Sequence, residues 1–213
     1  NAGTAGRRLV AMMILRSSAS SPFVRKVRIA IGMLGLEGRT EIRDADLNDP
    51  GDSLRRQNPL GKIPALVTNY GSVLYDWRVI LEYLDHLAGG GRILPHDPAA
   101  RFAALTLQAL CDGALDASVL IVYESRYRPP EMRVPAWIDR QAGKVERTLA
   151  ALEAAPPALS ATPHVGHIAL ACLLGYRDLR FDTTWRAGCP RLHAWHDTFA
   201  AAVPAFAATG PSA

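Results

Sequence analysis

The chain has 213 residues, of which 49% are hydrophobic and 21% are charged. This balance is typical of a folded globular protein and excludes a disordered one. The net charge of +4 comes from Lys and Arg residues that are scattered along the chain, so we expect no nucleic-acid partner. Three cysteines without metal-type or paired spacing argue against a disulfide framework and indicate a cytoplasmic location. No apolar run approaches the roughly 18 residues of a membrane span, so no membrane partner is expected.

The first residues are interpreted separately from the fold. Arg7 and Arg8, followed by apolar residues, briefly resemble the start of a secretory signal. The run is too short for one, and its end belongs to the first predicted strand. Residues 1–12 are therefore interpreted as a leader or expression remnant.

Strand and helix patterns alternate in the first half of the chain. Apolar residues at spacings of three and four predict a helix from Pro22, with Arg25, Lys26 and Arg28 mostly off the apolar face. Serine before that proline is the expected helix start. Strands are predicted at 13–16, 40–45, 63–67 and 72–75, with helices at 22–34, 53–57 and 77–87. The order βαβαββα places a first domain at residues 13–88.

Only helical patterns remain beyond Gly89-Gly90-Gly91. Helices are predicted at 98–126, 135–152, 163–176 and 190–202, and the Ala-rich tail from Ala205 is expected to fray. The second domain is therefore all-helical and spans residues 98–204. The fold class is α/β followed by all-α.

Two features indicate chemistry before any family is considered. Pro64 stands at the start of a predicted internal strand, where its missing N–H is costly. A cis Ile63–Pro64 bond would leave the backbone of Ile63 free to pair with an extended ligand; a trans proline on an edge strand is the alternative. Ser20 and Ser21 stand at a helix N-terminus, where unpaired N–H groups would stabilise a thiolate.

Three segments together resemble a known family. Ser21–Arg28 (SPFVRKVR), Asn58–Val67 (NPLGKIPALV) and Tyr75–Leu84 (YDWRVILEYL) are similar in order and spacing to the N-terminal landmarks of bacterial and plant serine-type glutathione transferases. A weaker resemblance continues through 112–116 and 168–181. It implies a thioredoxin-like N-terminal domain that binds glutathione, an all-helical C-terminal domain and a homodimer.

The resemblance assigns the first motif to the glutathione sulfur. Ser21 matches the serine that donates a hydrogen bond to the sulfur and raises its thiolate fraction, and Ser20 is the alternative candidate. Ser21 could instead be only the helix cap, and both roles could hold together. Phe23, in the same motif, is assigned to the glutathione site.

The second motif is assigned to the remainder of the tripeptide. Pro64 matches the family's cis-proline, and Ile63 matches the residue whose backbone pairs with the cysteinyl part of glutathione. Lys62 and Arg56 are candidate partners of the glycyl carboxylate, although exposed residues of this type are as often simply solvated.

The third motif departs from the family pattern. The family usually has an acidic residue followed by a serine, whose hydroxyl and N–H hold the γ-glutamyl carboxylate; here the pair is Asp76 and Trp77. Trp77 keeps the N–H but lacks the hydroxyl, and one charge-assisted hydrogen bond is worth about 1.5–3 kcal/mol. Weaker glutathione binding is therefore expected, partly offset by Arg78 and the helix N-terminus.

The helical domain supplies the candidate electrophile pocket. Asp112, Tyr123 and Tyr127 are assigned to its lining. Asp112 and Asp116, one helical turn apart, are interpreted either as a carboxylate pair for acid–base chemistry or as a polar stripe beside the cleft.

The histidines suggest a metal only by spacing. His164 and His167, like His193 and His196, are three residues apart, but no acidic residue or cysteine completes a site, so no metal is expected. His164 and His167 also occupy the positions of the family's helix-capping box. Thr162 with Pro163 at the first helical position is offered as the replacement cap.

Two functions remain open. The first is transfer of the glutathione thiolate to a small hydrophobic electrophile, with glutathione-dependent isomerase or disulfide reductase activity as a variant. The second is a noncatalytic binding protein on the same fold, with a glutathione site weakened by Trp77.

Overall fold

The computed structural model describes residues 12–210, so the leader interpretation of residues 1–12 lies outside the described part except for Met12. Strands are β1 (Met13–Ser17), β2 (Thr40–Asp44), β3 (Ala65–Val67) and β4 (Val73–Leu74). Helices are α1 (Pro22–Leu34), α2 (Leu54–Gln57), α3 (Trp77–Leu87), α4 (Pro98–Tyr127), α5 (Pro135–Ala154), α6 (Val165–Arg180), α7 (Trp185–Gly188), α8 (Pro190–Ala202) and α9 (Pro204–Ala208). The expected order βαβαββα followed by helices is confirmed.

The N-terminal domain contains one mixed four-stranded sheet of order β2-β1-β3-β4. β1 and β2 are parallel, with α1 as the connection between them, whereas β3 is antiparallel to both β1 and β4. Arg16 pairs with Ala65, and Leu66 pairs with Leu74. The end of β1, the start of β3 and the end of β4 therefore meet at one edge of the sheet.

Local sequence signals define both ends of α1. Ser21 has extended backbone angles and its side chain caps the helix, and Pro22 occupies the first helical position. Gly35 ends the helix in the left-handed region, with φ of 69°, a conformation that glycine adopts without a Cβ penalty.

A buried carboxylate fixes the connection between the two halves. Asp85, near the end of α3, accepts hydrogen bonds from the backbone N–H groups of Gly91, Arg92 and Ile93, at 2.8, 2.9 and 2.7 Å. Ile93 in turn accepts from the backbone N–H of Val165, at 3.0 Å. The linker is therefore held to both α3 and α6.

The core of the helical half lies between α4 and α6. α4 is 30 residues long with a mean hydropathy of 1.5 in its most apolar stretch, so by length and composition it could cross a membrane. The sequence-based expectation that no apolar run approaches a membrane span is therefore contradicted by the length and composition of α4. A buried core helix passes the same test, and α4 buries Cys111 and Leu115 together with the polar Gln108, Asp112 and Ser118.

The start of α6 differs from the expected one. α6 begins at Val165, so Thr162 and Pro163 are not its cap. His164 Nδ1 accepts from the N–H of Gly166, and His167 Nδ1 accepts from the N–H of His164, each at 3.2 Å. Two imidazoles thus perform the reciprocal capping that a hydroxyl and a carboxylate usually perform.

The end of the chain also differs. The tail from Ala205 was expected to fray, but Pro204–Ala208 forms α9 against α1. The Arg25 guanidinium lies 4.0 Å from the centre of the Phe206 ring and donates to the Phe206 carbonyl at 2.9 Å. This cation–π contact and hydrogen bond hold the tail in place. The short helix α7 had no recognised sequence signal.

Candidate functional site

Strand register brings the three motifs together at one edge of the sheet. The loop before Ser21 follows β1, the Ile63–Pro64 bond precedes β3, and Asp76 follows β4. Side chains confirm the proximity, since Phe23 in the first turn of α1 stacks on Trp77 in the first turn of α3, with ring centres 4.1 Å apart. The first turns of α1 and α3, each with positive partial charge, therefore lie side by side.

Ser21 combines capping with a free proton. Its Oγ accepts the N–H of Val24 at 3.2 Å, so the hydroxyl hydrogen is not consumed by the cap and remains able to donate. Ser20 and Ser21 both line a small pocket together with Cys172 and Tyr176. Burial raises the pKa of Cys172 to about 11, so this cysteine stays a thiol at neutral pH. The two hydroxyls are thus candidate groups for holding a sulfur anion, and the Arg25 cation lines the same pocket.

The Ile63–Pro64 peptide bond is cis, as the first of the two sequence alternatives predicted. Within residues 12–210, the backbone N–H and C=O of Ile63 have no hydrogen-bond partner. They remain available to an extended ligand. Asn58 supports this loop, because its side chain donates to the carbonyl of Lys62 at 2.9 Å and accepts from the N–H of Leu60 at 3.1 Å.

The candidate carboxylate partners lie in different settings. Lys62 is exposed and close enough to Asp116 of α4 to affect the pKa of that carboxyl. Arg56 is exposed on the short helix α2. The structure thus places Lys62 at the cleft between the two halves. Within residues 12–210, the Arg56 side chain makes no hydrogen bond or ion pair that would connect it to the site.

Asp76 caps α3 and contacts the next cation. One carboxylate oxygen accepts the N–H of Arg78 at 3.0 Å, and the other accepts from the Arg78 guanidinium at 2.9 Å. Arg78 also approaches the carboxylate of Asp112, at 3.3 Å. Arg78 therefore connects the third motif to α4.

Trp77 is directed toward α4 more than toward open solvent. Its indole N–H donates to Asp112 Oδ2 at 2.8 Å. The centre of its ring lies 4.1 Å from the centre of the Phe23 ring and 4.3 Å from the guanidinium carbon of Arg78. The indole thus has a structural role at the junction of α1, α3 and α4.

A buried ion pair completes this junction. Lys26 and Asp112 are both fully buried and their side chains are in direct contact. Lys26, which was expected off the apolar face of α1, is therefore an interior residue, and sequence offers no signal for it without knowledge of its partner. We refer to Lys26, Asp112, Trp77 and Arg78 as the Lys26–Asp112 cluster.

The two aspartates of α4 have different environments. Asp112 is fully buried and paired with Lys26, so it neither lines an open pocket nor forms an acid–base pair with Asp116 or a polar stripe beside the cleft. Asp116 is more accessible, and burial raises the pKa of its carboxyl while Arg78 and Lys26 act in the opposite direction. The structure therefore separates the two residues that sequence spacing had grouped.

The assigned tyrosines lie one turn apart on α4. Tyr123 and Tyr127 are exposed and meet edge to face, with ring centres 5.2 Å apart. Tyr176 of α6, which sequence reasoning did not single out, lines the Ser21 pocket. Among residues 12–210, no group of three or more His, Cys, Asp and Glu residues has an arrangement suited to a metal.

Comparisons with known proteins fit this geometry. Residues 15–92 match the family model of the glutathione S-transferase N-terminal domain, and residues 135–198 match that of the C-terminal domain. The Escherichia coli protein YibF, described as an uncharacterized GST-like protein, is 33% identical over 79% of this chain and 83% of its own. The chain belongs to the glutathione S-transferase family.

Solved structures extend the likeness to the whole fold. A glutathione transferase family member from Pseudomonas fluorescens Pf-5, with bound glutathione, has a TM-score of 0.88 at 42% identity over 94% of this chain and 100% of its own. A structure from the same species holds S-(propanoic acid)-glutathione, with a TM-score of 0.84 at 41% identity and the same coverage. A glutathione S-transferase from Methylobacillus flagellatus with glutathione has a TM-score of 0.86 at 35% identity, again covering 94% and 100%.

Proposed function

We propose that this protein transfers the thiolate of glutathione to a small hydrophobic electrophile. The observation that carries the proposal is Ser21, whose hydroxyl caps α1 while keeping its own proton free. A sulfur held at this helix N-terminus would accept that proton in a hydrogen bond and gain stability as the thiolate. Glutathione in structures that are 35–42% identical supports the choice of tripeptide.

The chain's other groups have defined parts in this proposal. The backbone of Ile63 pairs with the cysteinyl unit, and Lys62, with Arg56 as a further candidate, binds the glycyl carboxylate. Asp76 and the first turn of α3 bind the γ-glutamyl end. Rate acceleration then comes from thiolate formation and from proximity to the electrophile.

The second candidate function is noncatalytic binding on the same fold. Trp77 replaces the expected serine, and the hydroxyl that would hold the γ-glutamyl carboxylate is absent. The indole N–H cannot substitute for it, because that N–H is bonded to Asp112. A protein with this change could carry ligands or bind partners without turnover.

The assembly and location are part of the same proposal. We infer a homodimer in the cytoplasm. The exposed apolar side chains of Val79 and Phe102 on α3 and α4 support a self-association surface. Sedimentation of the purified chain tests this, since a monomer at micromolar concentration would contradict the dimer.

The deciding experiment is titration of glutathione into the purified chain, with calorimetry for affinity and ultraviolet absorbance for the bound thiolate. A dissociation constant below roughly 1 mM, in the usual range of enzyme substrates, is expected. Ser21→Ala should retain binding and lose the thiolate signal. Ser21→Asp is the matched variant, because aspartate keeps the cap but has no proton to donate.

Ser20→Ala distinguishes the two candidate hydroxyls. If Ser20→Ala removes the thiolate signal and Ser21→Asp retains it, the assignment moves to Ser20. If glutathione binds only after Trp77→Ser, the noncatalytic alternative is supported. A chain that binds glutathione with an unchanged thiol in all variants would contradict the proposed transferase.

A further inference from the structure

The side of the pocket opposite Ser21 is formed by the last two turns of α6. Tyr176 and Leu179 line the pocket with Ser20 and Ser21, and Arg180 lies one helical turn beyond Tyr176, on the same face. Tyr176 is nearly buried, whereas Leu179 is exposed. This wall therefore has an apolar base and a cation at its rim.

The end of α4 brings further groups to the same place. Burial raises the pKa of the Tyr176 hydroxyl, and Arg180, Tyr123 and Arg126 all lie near enough to affect it. Tyr123 is exposed, and the Arg126 guanidinium lies 6.0 Å from the centre of the Tyr127 ring. We call Tyr123, Arg126, Tyr176 and Arg180 the arginine–tyrosine cluster.

The two arginines of this cluster have no ion-pair partner within residues 12–210. Other arginines nearby are neutralised: Arg128 pairs with Glu124 at 3.2 Å, and Arg186 pairs with Asp178 at 2.6 Å. Arg126 and Arg180 thus present uncompensated positive charge beside aromatic side chains. Such a surface attracts an anion attached to an apolar group.

We propose that the arginine–tyrosine cluster selects electrophiles that carry a carboxylate on an aromatic or unsaturated body. The inference rests on the proposed transferase and names the substrate class of that site. The carboxylate lies between Arg126 and Arg180, the apolar body packs on Tyr123 and Tyr176, and the reacting carbon faces the sulfur at Ser21.

A chloroarene illustrates the reaction. The glutathione thiol gives up its proton to solvent, and the thiolate sulfur forms a bond to the carbon that bears chlorine. Chloride leaves with the electron pair of the broken bond. No oxidant or reductant is needed, and the carboxylate takes no part in the bond changes. The cluster therefore acts on binding of the electrophile and not on thiolate formation.

The test compares two electrophiles that share the same reactive carbon–chlorine bond, chlorodinitrobenzene and chlorodinitrobenzoate, at saturating glutathione. The parent should show the higher kcat/KM, after correction for the uncatalysed rates, with the benzoate. Arg126→Gln and Arg180→Gln should each lower kcat/KM for the benzoate by about 3- to 10-fold and change that for the neutral compound by less than about 2-fold, because partly exposed charge pairs are of this strength. Arg140→Gln, at an exposed arginine of α5, is the matched control and should change neither.

Binding of the two conjugates separates this inference from the proposed function. Chemically prepared S-(carboxydinitrophenyl)-glutathione should bind more tightly than S-(dinitrophenyl)-glutathione, and Arg180→Gln should remove the difference even if the chain turns over neither electrophile. Equal affinity for the two conjugates, or equal losses for both electrophiles in the arginine variants, would overturn the proposed selection. Loss of thiolate formation with the preference intact would contradict only the transferase.

Discussion

Two polar clusters hold the helical half of the molecule, and they depend on opposite protonation chemistry. The Lys26–Asp112 cluster joins α1, α3 and α4 through full charges that are buried against one another. The histidine cap, His164 with His167, holds the start of α6 through neutral rings that accept backbone N–H groups. The first fails when a charge loses its partner, whereas the second fails when a ring gains a proton.

The largest expected effect is that of Asp112→Asn. The change leaves the Lys26 ammonium buried without a countercharge, and breaking a buried pair in this way costs about 3–5 kcal/mol. Urea unfolding of the variant measures the loss, and Asp116→Asn, one turn further along α4, should cost under about 1 kcal/mol.

A pH series and a double variant sharpen this prediction. With Asp112 removed, burial lowers the pKa of Lys26, the unfolded chain binds more protons, and stability should rise as the pH approaches the ordinary lysine value of about 10.4. Lys26→Met with Asp112→Leu removes both charges and should recover most of the loss. A double variant as unstable as Asp112→Asn would contradict the role of the ion pair.

The next largest loss of stability is expected when acid protonates the histidine cap. Burial lowers the pKa of His167 to about 4, and its neighbour His164 acts in the same direction. The unfolded chain therefore binds more protons between about pH 6.5 and 4, so stability falls as the pH decreases through this window. The loss should be about 2 kcal/mol, less than the full shift implies because water partly screens the rings.

A carboxylate at the cap provides the control for this pH effect. His164→Ser with His167→Asp restores a hydroxyl and a carboxylate, which keep their acceptors down to about pH 4. Thermal unfolding of this variant between pH 7 and 4.5 should vary less than that of the parent. An identical pH dependence would show that other groups cause it.

Trp77→Phe should have a smaller effect than either cluster failure. The ring still stacks on Phe23, but Asp112 Oδ2 loses the indole N–H and keeps only Arg78. Loss of one hydrogen bond to a charged group costs about 1.5–3 kcal/mol, and the remaining contact with Arg78 places the value at the lower end. Urea unfolding measures it; a change below about 0.5 kcal/mol would show that the indole bond does not contribute.

The smallest effect is expected at a surface pair. Arg43 and Glu41 are 2.8 Å apart on β2, and both side chains are about half exposed, at 50% and 45%. Arg43→Gln should change the free energy of unfolding by less than about 0.5 kcal/mol, because water screens such pairs. A loss comparable to that of Asp112→Asn would remove the distinction between buried and exposed charges on which the comparison depends.

Periodicity and turn residues were sufficient to predict most elements. The boundaries of α1 and α3 follow from their caps, Ser21 and Asp76, which are local in sequence. The predicted start of α6 was wrong, and so was the predicted fraying of the tail, which forms α9. The imidazole cap requires two rings in a defined stack, and the tail helix depends on Arg25, which is distant in the chain.

The candidate site divides in the same way. The three N-terminal motifs could be recognised because each is a continuous segment, and strand register then places them at one edge of the sheet. The sequence could not predict the burial of Lys26, its pairing with Asp112 or the position of Tyr176 at the pocket. Each depends on a contact between helices that are far apart in sequence.

The amino-acid sequence by itself determined the family, the order of elements and the capped loop that presents Ser21, since these depend on neighbours within a few residues. Tertiary structure alone decided that Trp77 bonds to α4, that Lys26 lies in the interior and that Arg126 and Arg180, which have no ion-pair partner within residues 12–210, both lie near Tyr176. The reason is physical: a charge or an aromatic ring acquires its role from the partner it is buried against, and that partner is chosen by packing.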